Sequence, residues 1–159
     1  MKVISGGQTG ADQAGLEAAI ASDIETGGWM PAGFLTSGGL RPSFADKYGM
    51  KDTSSRGYPD RTRKNVEESD GTIWFGNPQS PGGKLTIRTA KELGKPVLEV
   101  RFDTSPSKVG KKVTRWLLLE EIQTVNIAGN REESNPGIYE FTYKVMLTAL
   151  SLVTTRRRR

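Results

Sequence analysis

The chain contains no cysteine and no histidine. The first absence excludes disulfides, thiolate metal sites and a cysteine nucleophile. The second removes the commonest metal ligand and the commonest general base. Any chemistry must rest on carboxylates, lysine, arginine, hydroxyls, or on a ligand that brings its own reactive groups. Long hydrophobic runs are missing too. No apolar stretch approaches membrane-spanning length, and Met1-Lys2-Val3-Ile4-Ser5 runs straight into a glycine turn with no signal-peptide core. No membrane partner is expected, and a cytoplasmic location is, which the lack of cysteine fits.

Positive charge is scarcer than the net +5 suggests. Four of those charges are Arg156, Arg157, Arg158 and Arg159, so the body carries only +1. A basic face is not implied, and nucleic acid is not an expected partner. The terminal run reads as a solvated end or as an arm for RNA or membrane. With 159 residues the chain has the length of one domain and can bury a core without staples. We expect one ligand-binding domain over residues 1–153 and a basic tail over 154–159.

What is present is an alternation. Val3-Ile4 is a short apolar run, and residues 11–21 are Ala-rich with Leu16, Ala19 and Ile20 on one helical face. Residues 27–59 lose the pattern: only Gly28-Trp29-Met30 hints at a strand, and the rest predicts a binding loop, a lid or disorder. Residues 61–69 read as a short helix with Asp60 as its N-cap, and residues 71–76 as a buried strand. Pro81-Gly82-Gly83 is a turn before a helix over 84–93, closed by Gly94 and Pro96. Residues 97–100 form a strand, and Ser105-Pro106 opens a helix with Val109, Val113, Trp116 and Leu117 on one stripe. Ile122, Val125 and Ile127 mark a strand, and Asn135-Pro136 opens a last helix carrying Ile138, Phe141, Val145, Ala149 and Leu152. Strands alternating with helices predict an α/β, Rossmann-like three-layer sandwich with a mostly parallel sheet flanked by helices.

In such a sheet, ligands bind beyond the carboxyl ends of the strands. Three loops of unusual composition fall there. The first holds Ser5, Gly6, Gly7, Gln8, Thr9, Gly10 and Asp12; the second Gly76, Asn77, Gly82, Gly83, Lys84 and Thr86; the third Asn130 and Arg131 with Glu132 and Glu133. Glycines let backbone N–H groups approach an anion, and a helix N-terminus adds partial positive charge. The first loop is either such a phosphate cradle or a plain tight turn. It has Ser5 where a dinucleotide fingerprint has its first glycine, and it lacks the Gly-Lys-Ser/Thr of a P-loop. Lys84 and Thr86 suit a phosphate, or belong to an ordinary turn before a helix. Arg61, Thr62 and Asn65, close on one predicted helix, would either clamp a phosphate or form a solvated face. Asp70 reads as a turn residue and Trp29 as core.

Five strings in order carry a resemblance. They are Gly6-Gly7-Gln8-Thr9-Gly10-Ala11-Asp12-Gln13-Ala14-Gly15-Leu16; Gly27-Gly28-Trp29-Met30-Pro31-Ala32-Gly33; Arg61-Thr62 with Asn65-Val66; Ser69-Asp70-Gly71-Thr72; and Pro136-Gly137-Ile138-Tyr139. Together they resemble the molybdenum carrier (molybdenum cofactor carrier protein) family, within the Lonely Guy-like Rossmann-type nucleotide-ligand-binding superfamily. The resemblance implies a homo-oligomer, dimer or tetramer, and a site for molybdenum cofactor (molybdopterin) or another nucleotide-like phosphorylated ligand. The pterin would hold the metal itself, so no protein metal ligand is expected. Lonely Guy-type phosphoribohydrolases carry Pro-Gly-Gly-x-Gly-Thr and then a glutamate. Here Pro81-Gly82-Gly83-Lys84-Leu85-Thr86 is followed by Thr89 at the glutamate's place. That departure favours carriage or storage over hydrolysis, so no catalytic residue is expected. The alternatives are a nucleoside-monophosphate phosphoribohydrolase-like enzyme using Asp12, Asp70 or Glu132, and a nucleotide-binding sensor module.

Overall fold

The computed structural model describes residues 1–102 and 105–158. Its centre is a six-stranded sheet. The strands are β1 (Lys2–Ser5), β2 (Glu25–Met30), β5 (Met50–Asp52), β6 (Gly71–Phe75), β7 (Val97–Val100) and β8 (Thr124–Gly129). They lie in the order β5-β2-β1-β8-β6-β7, and every pairing in this sheet is parallel. A separate antiparallel hairpin joins β3 (Leu35–Thr36) to β4 (Gly39–Leu40). The helices are α1 (Ala11–Ala21), α2 (Phe44–Tyr48), α3 (Tyr58–Glu68), α4 (Pro81–Glu92), α5 (Pro106–Leu119) and α6 (Ile138–Arg157). This is the three-layer α/β architecture that the alternation predicts.

The two faces of the sheet differ. Alternation along a strand sends successive side chains to opposite faces. Ile73 and Phe75 of β6, with Val125 and Ile127 of β8, join the main core beneath α1, α5 and α6. Leu117, Val145, Met146 and Leu150 close it from the helices, all fully buried. Thr72, Trp74, Asn126 and Ala128 must then face the layer of α3 and α4. In the register Thr72 lies beside Asn126 and Trp74 beside Ala128. A polar interior on one face is the first structural sign of a site.

Residues 27–59 are more regular than the sequence reading expects. They contain most of β2, the hairpin, α2 and β5. Short strands and paired glycines hide the period there, since Gly27-Gly28 leaves no apolar alternation to read. Phe44, Tyr48 and Met50 pack on Leu16 and Met30 in a second core cluster. Three helix starts also differ. α3 begins at Tyr58 after Gly57, which puts Asp60 in the first turn instead of at the N-cap. α4 begins at Pro81, with Ser80 capping the Gly83 N–H, so Gly82 and Gly83 are helical. α6 begins at Ile138, after Gly137 in the left-handed region. The basic run is helical through Arg157, which donates to the Ile122 carbonyl and to Gln123 Oε1. Arg159 of that run lies outside the described residues.

Candidate functional site

A cleft of about 420 Å³ opens at the carboxyl ends of β1, β8 and β6 and runs down the α3/α4 face of the sheet. This is the crevice that a doubly wound sheet leaves where its strand order reverses, and the volume suits a small molecule. Of the expected site residues, Gly6, Gln8, Asp12, Arg61, Thr62, Asn65, Gly82, Thr86, Asn130 and Arg131 line it. Ser5, Gly7, Thr9, Gly10, Gly76, Asn77, Gly83 and Lys84 do not.

The reasons for the second group are local. Ser5 is fully buried, and its hydroxyl accepts the Gly7 N–H at 3.2 Å. The Thr9 hydroxyl donates to Glu133 Oε2 at 2.8 Å and meets Ser37 Oγ, away from the cleft. Asn77 packs its N–H onto Asn130 Oδ1 at 2.7 Å, and Lys84 is exposed. Gly10, at φ 83°, faces protein backbone: a Cβ there would lie 2.4 Å from the Asn130 carbonyl oxygen.

The turn after β1 is occupied by protein groups. Arg61 reaches over Gly6 to Asp12, Nη1 to Oδ2 at 3.1 Å, and both side chains are almost wholly buried. Asp12 Oδ2 also accepts the Gln8 N–H at 3.2 Å. Burial pushes the Asp12 carboxyl above its ordinary value, against the pull of Arg61 and the Gln8 N–H. Asn65, although it lines the cleft, spends its amide on the Trp29 backbone. Its Oδ1 accepts the Trp29 N–H at 2.8 Å and its Nδ2 donates to the Trp29 carbonyl at 3.0 Å. Trp29 itself is half-buried, with the ammonium groups of Lys64 and Lys51 over its ring.

The mouth is cationic and aromatic. The guanidinium of Arg131 stands 5.0 Å from the Tyr58 ring centroid and that of Arg61 5.2 Å from it. Gly82 lies in the first turn of α4, where N–H groups have no intrahelical acceptor. A helix N-terminus and two guanidinium groups therefore border one opening, a charge arrangement that favours an anion.

The floor is where sequence reasoning missed most. Tyr58, Trp74, Ser80, Leu85, Asn126 and Ala128 line the cleft and had no signal as site residues. Only the pairing of β6 with β8 shows that Trp74 and Asn126 share a face. The alternative acids are engaged elsewhere. Asp70 Oδ2 accepts the Gln123 and Thr124 N–H groups, as a turn aspartate does. Glu132 accepts the Gly137 and Tyr139 N–H groups at the start of α6. Thr89 donates its hydroxyl to the Leu85 carbonyl within α4. Among the described residues no cluster of carboxylates is arranged to hold a metal ion, and no helix is long and apolar enough to cross a membrane.

A family model described as the circularly permutated YpsA SLOG family matches residues 3–150. A solved structure, named "Putative molybdenum carrier protein" and coming from Syntrophus aciditrophicus SB, is 38% identical. The match covers 94% of each chain with a TM-score of 0.86. No curated protein matches.

Proposed function

On the premise that the chain belongs to the circularly permutated YpsA SLOG family, we propose that it binds and carries, or stores, molybdenum cofactor or a related phosphorylated pterin or nucleotide. One observation carries the reading. The α4 N-terminus at Gly82 and the guanidinium groups of Arg61 and Arg131 converge on one cleft at the switch point of the sheet. Such a mouth supplies backbone N–H donors and dipole to a phosphate, with the full charge of Arg131 beside the Asp12-paired Arg61. The name of the Syntrophus protein supports the molybdenum side of the proposal. The cargo's own dithiolene would hold its metal, and the chain would contribute phosphate anchoring and a walled slot.

Carriage is favoured over hydrolysis by the use of the acids. Asp12 is held by Arg61, Asp70 and Glu132 cap backbone, and Thr89 is turned into its own helix. Phosphoribosyl cleavage needs a carboxyl group free to handle protons beside the ligand.

Native mass spectrometry of untagged protein, with identification of any molecule released on denaturation, tests the proposal. A molybdopterin derivative, or uptake of one from a donor protein, is the expected result. A released nucleotide would move the assignment to a sensor or an enzyme. Failure to take up any phosphorylated pterin or nucleotide would end it.

A further inference from the structure

Four buried side-chain polar atoms among the described residues have no hydrogen-bond partner: Arg61 Nε, Trp74 Nε1, Asn126 Oδ1 and Thr142 Oγ1. The first three belong to residues that line the cleft. Trp74 and Asn126 are only 3% and 2% exposed. Buried polar groups in native folds are nearly always satisfied, and a buried indole N–H nearly always finds an acceptor. Leaving one unmade is costly. Two such groups on adjacent strands, facing one cleft, point to a ligand that satisfies both.

The chemistry of the pair narrows that ligand. Trp74 Nε1 can only donate. Asn126 Nδ2 donates to Thr72 Oγ1 at 3.3 Å, so the atom left over is the acceptor Oδ1. The floor thus offers one donor and one acceptor on the same face of two adjacent strands. Trp74 sits beside Ala128 in the register, and this small side chain on the same face leaves room beside the indole for a flat ring. The far edge of the indole lies against Gly82, 3.5 Å from where a Cβ there would be. One end of the slot is therefore the helix N-terminus and the other is the amide of Asn126.

We propose that this floor reads the edge of a nitrogen heterocycle with an N–H donor beside a carbonyl or ring-nitrogen acceptor. That edge is shared by 6-oxopurines and pterins. Trp74 Nε1 donates to the ring's acceptor, Asn126 Oδ1 accepts its N–H, and the phosphate lies at the mouth by Gly82 and Arg131. The ring presses into the slot and meets polar atoms that no protein group reaches. This assignment rests on the phosphorylated-ligand reading above and adds the class of ring that the phosphate carries.

Calorimetric titration of the full chain separates the two claims. The ligands are ribose 5-phosphate, inosine 5′-monophosphate, purine riboside 5′-monophosphate and neopterin monophosphate. Purine riboside has ring acceptors but no N–H on the edge in question. The expected result is that inosine monophosphate, neopterin monophosphate or both bind at least ~10-fold tighter than ribose 5-phosphate, about the factor that the net contribution of one hydrogen bond supplies. Which of the two binds tighter names the source of the ring. If inosine monophosphate binds, purine riboside monophosphate should bind more weakly by a similar factor. Trp74→Phe and Asn126→Leu should erase the ring's advantage over ribose 5-phosphate measured on the same variant, with thermal melts showing that both variants fold. Ring ligands no tighter than ribose 5-phosphate, or an advantage that survives both substitutions, would overturn the inference while leaving phosphate binding intact. If no phosphorylated compound binds, the functional reading falls with it.

Discussion

Arg61 occupies the space that any side chain on residue 6 would fill: a Cβ on Gly6 would lie 1.4 Å from Arg61 Nη1 and 2.9 Å from Asp12 Oδ2. This glycine is needed because a protein cation crosses it. The cation is the flexible end of a long side chain, so Gly6→Ala can be relieved by expelling Arg61. We expect a variant that folds but no longer pairs Arg61 with Asp12, and that binds phosphorylated ligands at least ~10-fold more weakly, in line with the loss of a charge-assisted contact. Gly10→Ala has no such escape, since the obstacle is the Asn130 carbonyl and φ is 83°. It should lose about 2 kcal/mol or more in urea unfolding through strain and displaced backbone. A Gly6→Ala variant that binds phosphorylated ligands as tightly as the parent chain would contradict this reading.

The Asp12–Arg61 pair makes a second prediction. Both side chains are nearly out of water, at 5% and 13% exposure. Removing one partner of a buried pair leaves an uncompensated charge, which costs about 3–5 kcal/mol. Asp12→Asn should fall in that range, less whatever the amide recovers by hydrogen bonding to Arg61. The double variant Asp12→Asn with Arg61→Met should be more stable than Asp12→Asn alone, because no orphan charge remains. Chemical denaturation of the three proteins decides it. A double variant less stable than the single would show that Arg61 without its carboxylate still stabilises the chain, and that no stranded charge sets the cost.

Much of this was legible in the chain, and the exceptions share a cause. The α1 helix over 11–21 and the alternation of strands with helices follow from local apolar spacing, which needs no partner to be seen. The mouth was also legible, since loops after strand ends must gather at one edge of a parallel sheet. The floor was not. Trp74 and Asn126 are 52 residues apart in number and meet only through the β6–β8 register, which no local pattern encodes. β5 and the hairpin were missed because three- and two-residue strands have no period to detect. The glycines of the first turn were legible as special, but their reason was not. Gly6 admits Arg61 and Gly10 admits the loop after β8, contacts set by tertiary packing.

Asn130 gives a third test, because it ties two loops together. Its Oδ1 accepts the Asn77 N–H at 2.7 Å and the Asn135 side-chain amide at 3.3 Å, and its Nδ2 donates to Ser80 Oγ at 3.3 Å. It is thus the joint between the loop after β6, the cap of α4 and the loop after β8. Asn130→Ala should cost about 1–3 kcal/mol by stranding the Asn77 N–H. It should also weaken ligand binding, because Gly82 at the mouth depends on the same cap. Asn130→Asp, which keeps the acceptor, should retain most of the stability. Melting curves and titration of the two variants check both claims, and an alanine variant with unchanged stability would remove Asn130 from this role.

The last prediction concerns pH, at a distance from the cleft. Glu17 of α1 accepts a hydrogen bond from the Tyr48 hydroxyl and pairs with Lys47 at 2.6 Å. Burial first, and then the Glu17 carboxylate, push the Tyr48 phenol from 10.0 up to about 12. For an acid whose folded value is raised, the folded chain keeps a proton that the unfolded chain has lost. Between pH 10 and about 12 the native state therefore binds more protons. By linkage its stability falls as pH rises through that window, while the contribution is complete below pH 10. Absorbance titration of the tyrosinates should show one phenol ionising near 12, and Tyr48→Phe should remove that step. The same substitution should flatten the fall in stability between pH 10 and about 12, measured by denaturation at fixed temperature. A highest phenol step that survives in Tyr48→Phe would show that the Glu17–Tyr48 bond is too solvent-exposed to hold the proton.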